Sequence, residues 1–207
     1  MAQFFQIHPE NPQNRLIVQA ADIIRRGGIV AYPTDCAYAL GCHIGDKDAL
    51  DRIRAMRDLD KNHNFTLMCR DLSELATYAR VDNRVYRLIK NQTPGPYTFI
   101  LEATAEVPRR LMHPKRKTIG LRVPDSPIAL ALLAELGEPI MTSSLLMPGE
   151  DYPMADPYDI RDTLAHHLDL VIDGGFCGIE STTVVDLTGE LPELVRQGKG
   201  DFSPFAS

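Results

Sequence analysis

Hydroxyl-bearing residues gather beside glycine and proline where apolar runs stop: YPTD at 32–35, NQTPGPYT at 91–98, MTSS at 141–144 and GGFCGIESTT at 174–183. Serine and threonine donate or accept hydrogen bonds, and glycine lets the backbone approach a bound group closely. The same residue types dominate ordinary turns, so each segment alone carries little. Together with Arg57, Lys61, Arg122 and Arg196 they describe a pocket at one sheet edge that receives an anion, because a guanidinium fork matches carboxylate and phosphate oxygens. No spacing supports a Ser-His-Asp or Cys-His nucleophile. The cysteines at 36, 42, 69 and 177 lie in apolar contexts without a C-x-x-C pair, which reads as small buried thiols and leaves no protein-bound metal expected.

A second cationic feature is PRRLMHPKRKTIGLRVP at 108–124, where Arg109, Arg110, Lys115, Arg116, Lys117 and Arg122 occur with no acid among them. It reads either as a face for phosphate or as a solvated loop. The formal net charge of −6 argues against a surface that is positive throughout. A chain of 207 residues with 44% hydrophobic content can bury one sizeable core, so a single globular domain over 14–200 with a short tail at 201–207 is expected. The N-terminus lacks an export signal and no window holds 18 uncharged apolar residues. The expectation is a cytoplasmic monomer without membrane contact.

These residues need a scaffold, and the periodicity supplies one. Residues 15–26 place Leu16, Ala20, Ile23 and Ile24 on one helical face before Gly27-Gly28, and 45–59 form a second helix with Asp46 as its cap. Helices are also expected at 71–79, 82–91 and 125–137, the last with Pro127 in its first turn and Gly137 at its end. Strands are expected at 29–33, 65–69, 97–103, 118–124, 139–145, 168–175, 181–187 and 193–198. Strands outnumber helices in a partly alternating order, which predicts an α/β (α+β) domain around one large mixed sheet.

The ordered set IVAYPTDCAYALGC, an Arg-rich helix end, TPGPYTFIL, TIGLRVP, PIMTSS, STTVVDL and LVRQG resembles the YrdC/YciO family along residues 15–198, with KNHNFTLMC pointing to the YciO branch. The resemblance implies a twisted sheet with a concave basic face and a role in binding double-stranded RNA or tRNA. In the YrdC branch it implies joining L-threonine, bicarbonate and Mg-ATP into threonylcarbamoyl-adenylate, which feeds a tRNA modification. By the same matching, Thr34 holds the amino acid, Asp35 fixes the turn through backbone contacts and Tyr38 walls the pocket. Arg122 and Ser181 meet the amino-acid carboxylate. Thr118 and Arg196 sit on the nucleotide side, and Thr142 and Ser143 line the floor.

Two positions depart from the synthase pattern. Arg57-Asp58-Leu59 stands where that branch has Lys-x-Arg, and Ser143-Ser144-Leu145 where it has Ser-Ala-Asn. Lys61 and His63 are candidates to restore a contact. Loss of one charge-assisted contact weakens binding by about 1.5 to 3 kcal/mol, so altered nucleotide use is expected before total loss. Two functions stay open: a threonylcarbamoyl-adenylate-synthase-like enzyme, and a non-catalytic RNA-binding module using Arg109, Arg110, Lys115, Arg116 and Lys117.

Overall fold

Short runs rich in aliphatic, aromatic and β-branched residues build most of the sheet, because such side chains fit a pleated surface. The strands are β1 (Gln3–Gln6), β2 (Val30–Tyr32), β3 (Ala39–His43), β4 (Thr66–Met68), β5 (Tyr97–Glu102), β6 (Thr118–Arg122), β7 (Ile140–Ser144), β8 (Leu170–Asp173), β9 (Thr183–Asp186) and β10 (Glu193–Arg196). The computed structural model describes residues 1–206. All ten strands join one mixed sheet in the order β1-β8-β2-β3-β7-β4-β6-β5-β9-β10. The order departs widely from the sequence order, which is how segments distant in the chain come to share one face.

Six helices flank the sheet: α1 (Asn14–Arg25), α2 (Lys47–Arg57), α3 (Leu72–Tyr78), α4 (Asn83–Ile89), α5 (Pro127–Leu136) and α6 (Pro157–Leu164). Asp46, Asp71, Asp82 and Ser126 each accept a backbone N–H in the first turn of the helix that follows, satisfying donors that the helix itself cannot. Gly137, in the left-handed region, closes α5. No described helix is long and apolar enough to cross a membrane.

Side chains alternate between the two faces of a strand, and the two faces are covered unequally. One face buries Leu40, Leu67, Phe99, Leu121, Met141 and Val171 in the larger core, together with residues from α2, α3, α4 and α6. On the other face α1 and α5 pack over Val30, Tyr32, Ala39, Met68, Ile140, Leu170 and Ile172. That two-helix layer covers the β1 to β7 side of the sheet and reaches β4 at Met68. Past it the same face continues over Thr142 of β7, Thr66 of β4, Gly120 and Arg122 of β6 and Thr98 of β5, where small polar or charged residues and glycine replace aliphatic ones.

Three elements differ from the expected set. The strand β1 is short and polar at both ends, yet pairs in parallel with β8. Strand β3 lacks alternation because its first four residues are buried on both faces. Helix α6 shows only Ile160 and Leu164 at helical spacing behind Pro157, too little to stand out of a polar stretch. The folded unit also extends past 14–200 at both ends, since β1 joins the sheet and the Phe205 ring packs against Tyr97 and Phe99.

Candidate functional site

The uncovered face forms the floor of a cavity of about 470 Å³. This size suits small-molecule sites in general. The register explains the floor: Thr66 pairs with Gly120 and Thr142, and Gly120 with Ile100, so these residues lie in one row across four strands. Glycine is required in that row, because a Cβ on Gly120 would stand 2.7 Å from Thr66 Oγ1 and 3.1 Å from the Phe65 carbonyl. Thr66 and Gly120 were not foreseen as site residues, and Thr98 only as the end of the NQTPGPYT segment. Their signal is the alternation of small polar with apolar residues in FTLM, YTFIL and TIGLR.

Cations enter the cavity from three separate elements. Arg57, the last residue of α2, donates from Nε to the Leu146 carbonyl at 2.9 Å and from Nη1 to Ser143 Oγ. Arg196 on β10 donates to the Thr182 carbonyl at 2.9 Å, and Thr182 Oγ1 lies 2.8 Å from Thr98 Oγ1. Arg122 at the end of β6 is the third. No carboxylate lines the cavity. Burial, and next the Arg196 charge, lower the Arg57 pKa, although a guanidinium stays protonated; two cations set toward one partly buried space call for an anion.

In the turn after β2 the side chain that holds the turn is that of Thr34, whereas Asp35 pairs with Arg122. Thr34 Oγ1 donates to the Ala37 carbonyl at 2.7 Å and accepts from the N–H groups of Cys36 at 3.1 Å and Ala37 at 3.2 Å. Its hydroxyl is therefore saturated by the turn itself, although the residue lines the cavity. Asp35, expected to fix the turn, instead accepts from Arg122 Nη2, and the pair is nearly buried at 11% and 7% side-chain exposure. Arg122 Nε and Asp35 Oδ2 are buried without a hydrogen-bond partner. Behind the pair, Lys199 Nζ donates to the Asp35 carbonyl. Tyr38 lines the cavity wall, and its hydroxyl donates to the Gly175 carbonyl at 2.7 Å, tying the turn to the loop after β8.

Of the residues singled out from sequence, Thr34, Tyr38, Arg57, His63, Arg122, Thr142, Ser143, Ser181 and Arg196 all line this one cavity. Lys61 and Thr118 do not. Lys61 is exposed on the turn after α2, and Thr118 is buried with its Oγ1 unpartnered, one step along β6 beyond Gly120. His63 supplies no positive charge, because burial, aided by the Arg57 charge, pushes its pKa down to about 4. Leu145 is fully buried in the larger core between the cavity residues Ser144 and Leu146, and Leu59 packs against the same core.

The cluster at 109–117 lies elsewhere. It joins the end of β5 to the start of β6, whereas Arg122 is at the opposite end of β6, about 13 Å away at 3.3 Å per residue. Arg110 donates to the Gly45 carbonyl at 2.5 Å, Arg116 to Asp186 at 2.6 Å and Lys117 to the Pro114 carbonyl at 2.9 Å. Although burial opposes it, hydrogen bonds from Thr188 and Arg116 hold the Asp186 carboxyl below the usual carboxylate range. Arg109 and Lys115 are exposed, and none of these five residues lines the cavity. Among the described residues no group of three or more His, Cys, Asp or Glu is arranged to hold a metal ion.

Known proteins carry the same architecture. The family model for Sua5, YciO and YrdC, described as "Telomere recombination", matches residues 22–198. Escherichia coli YciO is 59% identical over 99% of this chain and 100% of its own length, and its crystal structure matches with a TM-score of 0.97. The threonylcarbamoyl-AMP synthase of Bacillus subtilis is 29% identical over 93% of this chain and 55% of the enzyme. Pyrococcus abyssi Sua5 in complex with L-threonine matches with a TM-score of 0.86 at 28% identity, over 94% of this chain and 57% of that one. This chain thus spans little more than half of either of the last two proteins. With the family match running from α1 to the end of β10 and the cavity assembled from those same strands, the chain belongs to the Sua5/YciO/YrdC family.

Proposed function

We propose that this protein binds an L-amino acid together with ATP in this cavity and forms a carbamoyl-adenylate, in the manner of a threonylcarbamoyl-AMP synthase. The observation that carries the reading is the convergence of Arg57, Arg122 and Arg196 on one hydroxyl-rich space that no carboxylate lines. The amine of L-threonine and bicarbonate give a carbamate and water. A carbamate oxygen then attacks the α-phosphorus of ATP; the bond to the β-phosphate bridge breaks and pyrophosphate leaves. Two anions must be brought together, and fixed positive charge in a shielded site supplies the stabilisation. In this reading Arg122 and Ser181 take the amino-acid carboxylate, while Arg57 and Arg196 take the phosphates. Mg²⁺ fits as a passenger on the phosphates, since it keeps its waters and needs few protein donors, and hydroxyls are the oxygen donors here. The product would feed modification of an adenosine in tRNA. L-threonine bound to Sua5, at 28% identity, supports the amino-acid half of the reading.

The test is release of pyrophosphate, followed as phosphate with added pyrophosphatase, from L-threonine, bicarbonate and Mg-ATP. Threonine-dependent release that is lost in Arg122→Ala is expected. No amino-acid-dependent release with any of the twenty amino acids would remove the proposal. Duplex-RNA binding as the main function has no comparable observation behind it, because the 109–117 cations do not share the cavity.

A further inference from the structure

Just after β10 the sequence QGKGD at 197–201 sets a lysine between two glycines, and its main chain is fixed on both sides. The Lys199 N–H donates to the Ser181 carbonyl at 2.9 Å, the Gly198 N–H donates to Thr183 Oγ1 at 3.0 Å, and the same hydroxyl donates to the Gly200 carbonyl at 2.6 Å. Thr183 is fully buried, so both neighbours of Lys199 are held from within the sheet. The close approach requires glycine at 198, because a Cβ there would stand 2.3 Å from the Ser181 carbonyl oxygen and 2.5 Å from the Thr182 carbonyl.

From that fixed point the Lys199 side chain reaches the turn after β2, 164 residues away in sequence, where Nζ donates to the Asp35 carbonyl. Among the described residues no other group donates to that carbonyl. Asp35 is the partner of Arg122, and its second carboxylate oxygen has none, so the stance of the Arg122 guanidinium depends on where the main chain places Asp35. Tyr38 and Cys177 tie the turn to the loop ahead of Ser181, through bonds to and from the Gly175 and Thr34 carbonyls. Lys199 ties it to Ser181 itself. Its main chain thus binds one of the two residues given the amino-acid carboxylate, and its side chain binds the partner of the other. Lys199 does not line the cavity, so it acts at one remove from the ligand. A carboxylate shared between a guanidinium and a hydroxyl needs both at a fixed spacing.

We infer that Lys199 is a positioning residue that sets the spacing of Arg122 and Ser181 for the amino-acid carboxylate. The inference rests on the amino-acid half of the proposed function. Calorimetric titration with L-threonine and, separately, with Mg-ATP tests it at physiological salt, where exposed charges are screened beyond about 8 Å. Lys199→Met keeps the stem and removes the ammonium. It is expected to weaken L-threonine by about three- to tenfold, the modest worth of one solvent-exposed contact, and Mg-ATP by less than about twofold. Lys199→Arg restores a donor and should bring threonine affinity back to within about twofold of the wild-type protein. Unchanged threonine affinity in Lys199→Met, an equal loss of Mg-ATP affinity, or a Lys199→Arg protein as weak as Lys199→Met would overturn the inference and leave amino-acid binding standing. Failure of the wild-type protein to bind L-threonine would instead remove the amino-acid reading, and the inference with it.

Discussion

Two regions of this chain concentrate positive charge, and they differ in what the charge faces. The 109–117 loop holds five cations in nine positions, yet Arg110, Arg116 and Lys117 donate to the chain's own carbonyls and to Asp186, and the rest point to solvent. The cavity has three guanidiniums drawn from α2, β6 and β10, distant in sequence, with no acid on its lining surface. Density along the chain is thus a poor guide to an anion site. What counts is that unlike segments bring cations to one hydroxyl-rich space whose lining, among the described residues, holds no carboxylate, with Asp35 pairing Arg122 from outside that lining.

The strongest way to break this contrast is at Arg122. Arg122→Ala should lower threonine-dependent turnover by more than about a hundredfold, and it should also destabilise the fold by about 3 to 5 kcal/mol because buried Asp35 loses its partner. Phosphate release and urea denaturation separate the two effects. The double variant Asp35→Asn, Arg122→Ala should recover most of the stability and none of the turnover. Full stability in Arg122→Ala would show that the pair is not the buried unit described above.

Next in size are Arg57→Ala and Arg196→Ala, each expected to weaken Mg-ATP by about ten- to a hundredfold, the worth of one charge-assisted contact at about 1.5 to 3 kcal/mol. Titration calorimetry reads this directly, and an unchanged affinity in both would contradict the phosphate assignment. His63 gives a pH dependence of smaller size. Its folded pKa of about 4 lies below the ordinary 6.5, so its contribution to stability is present above pH 6.5 and is lost as pH falls toward 4, the unfolded chain taking up the proton first. His63→Gln should flatten the denaturation midpoint between those values; an unaltered slope there would refute it.

The smallest effect belongs to the loop. Alanine at Lys115 and Lys117 should change Mg-ATP affinity by less than about twofold, because neither lines the cavity and both precede the end of β6 opposite Arg122. Duplex-RNA titrations at 50 and 200 mM salt sharpen the contrast from the other side. Steeply salt-dependent binding, weakened by the same substitutions, would give the loop a ligand of its own and the molecule two anion-binding regions.

Much of this was legible before the coordinates. Helix ends followed from Asp46 and Gly137, and the ordered motifs gathered Thr34, Arg122, Ser181 and Arg196 into one site. Less legible was what each residue does there. Whether Thr34 or Asp35 fixes the turn depends on which side chain points back at the Ala37 backbone, a local geometry that the letters YPTD do not contain. Lys61 and Thr118 stood two positions from the lining residues His63 and Gly120, and two residues along a turn or strand were enough to remove them from the cavity. Thr66 and Gly120 were missed because their meaning depends on α1 and α5 leaving their end of β4 and β6 uncovered, a property of the packed layers. Leu145 reads as a lost amide in sequence and as a core residue in the fold.

The central claim is that one cavity receives both oxyanions, and a crystal structure with L-threonine and a non-hydrolysable Mg-ATP analogue tests it most directly. The threonine carboxylate should lie within hydrogen-bond distance of Arg122, with the phosphates on Arg57 and Arg196. Ligand density at the 109–117 loop, or threonine bound away from Arg122, would contradict the account.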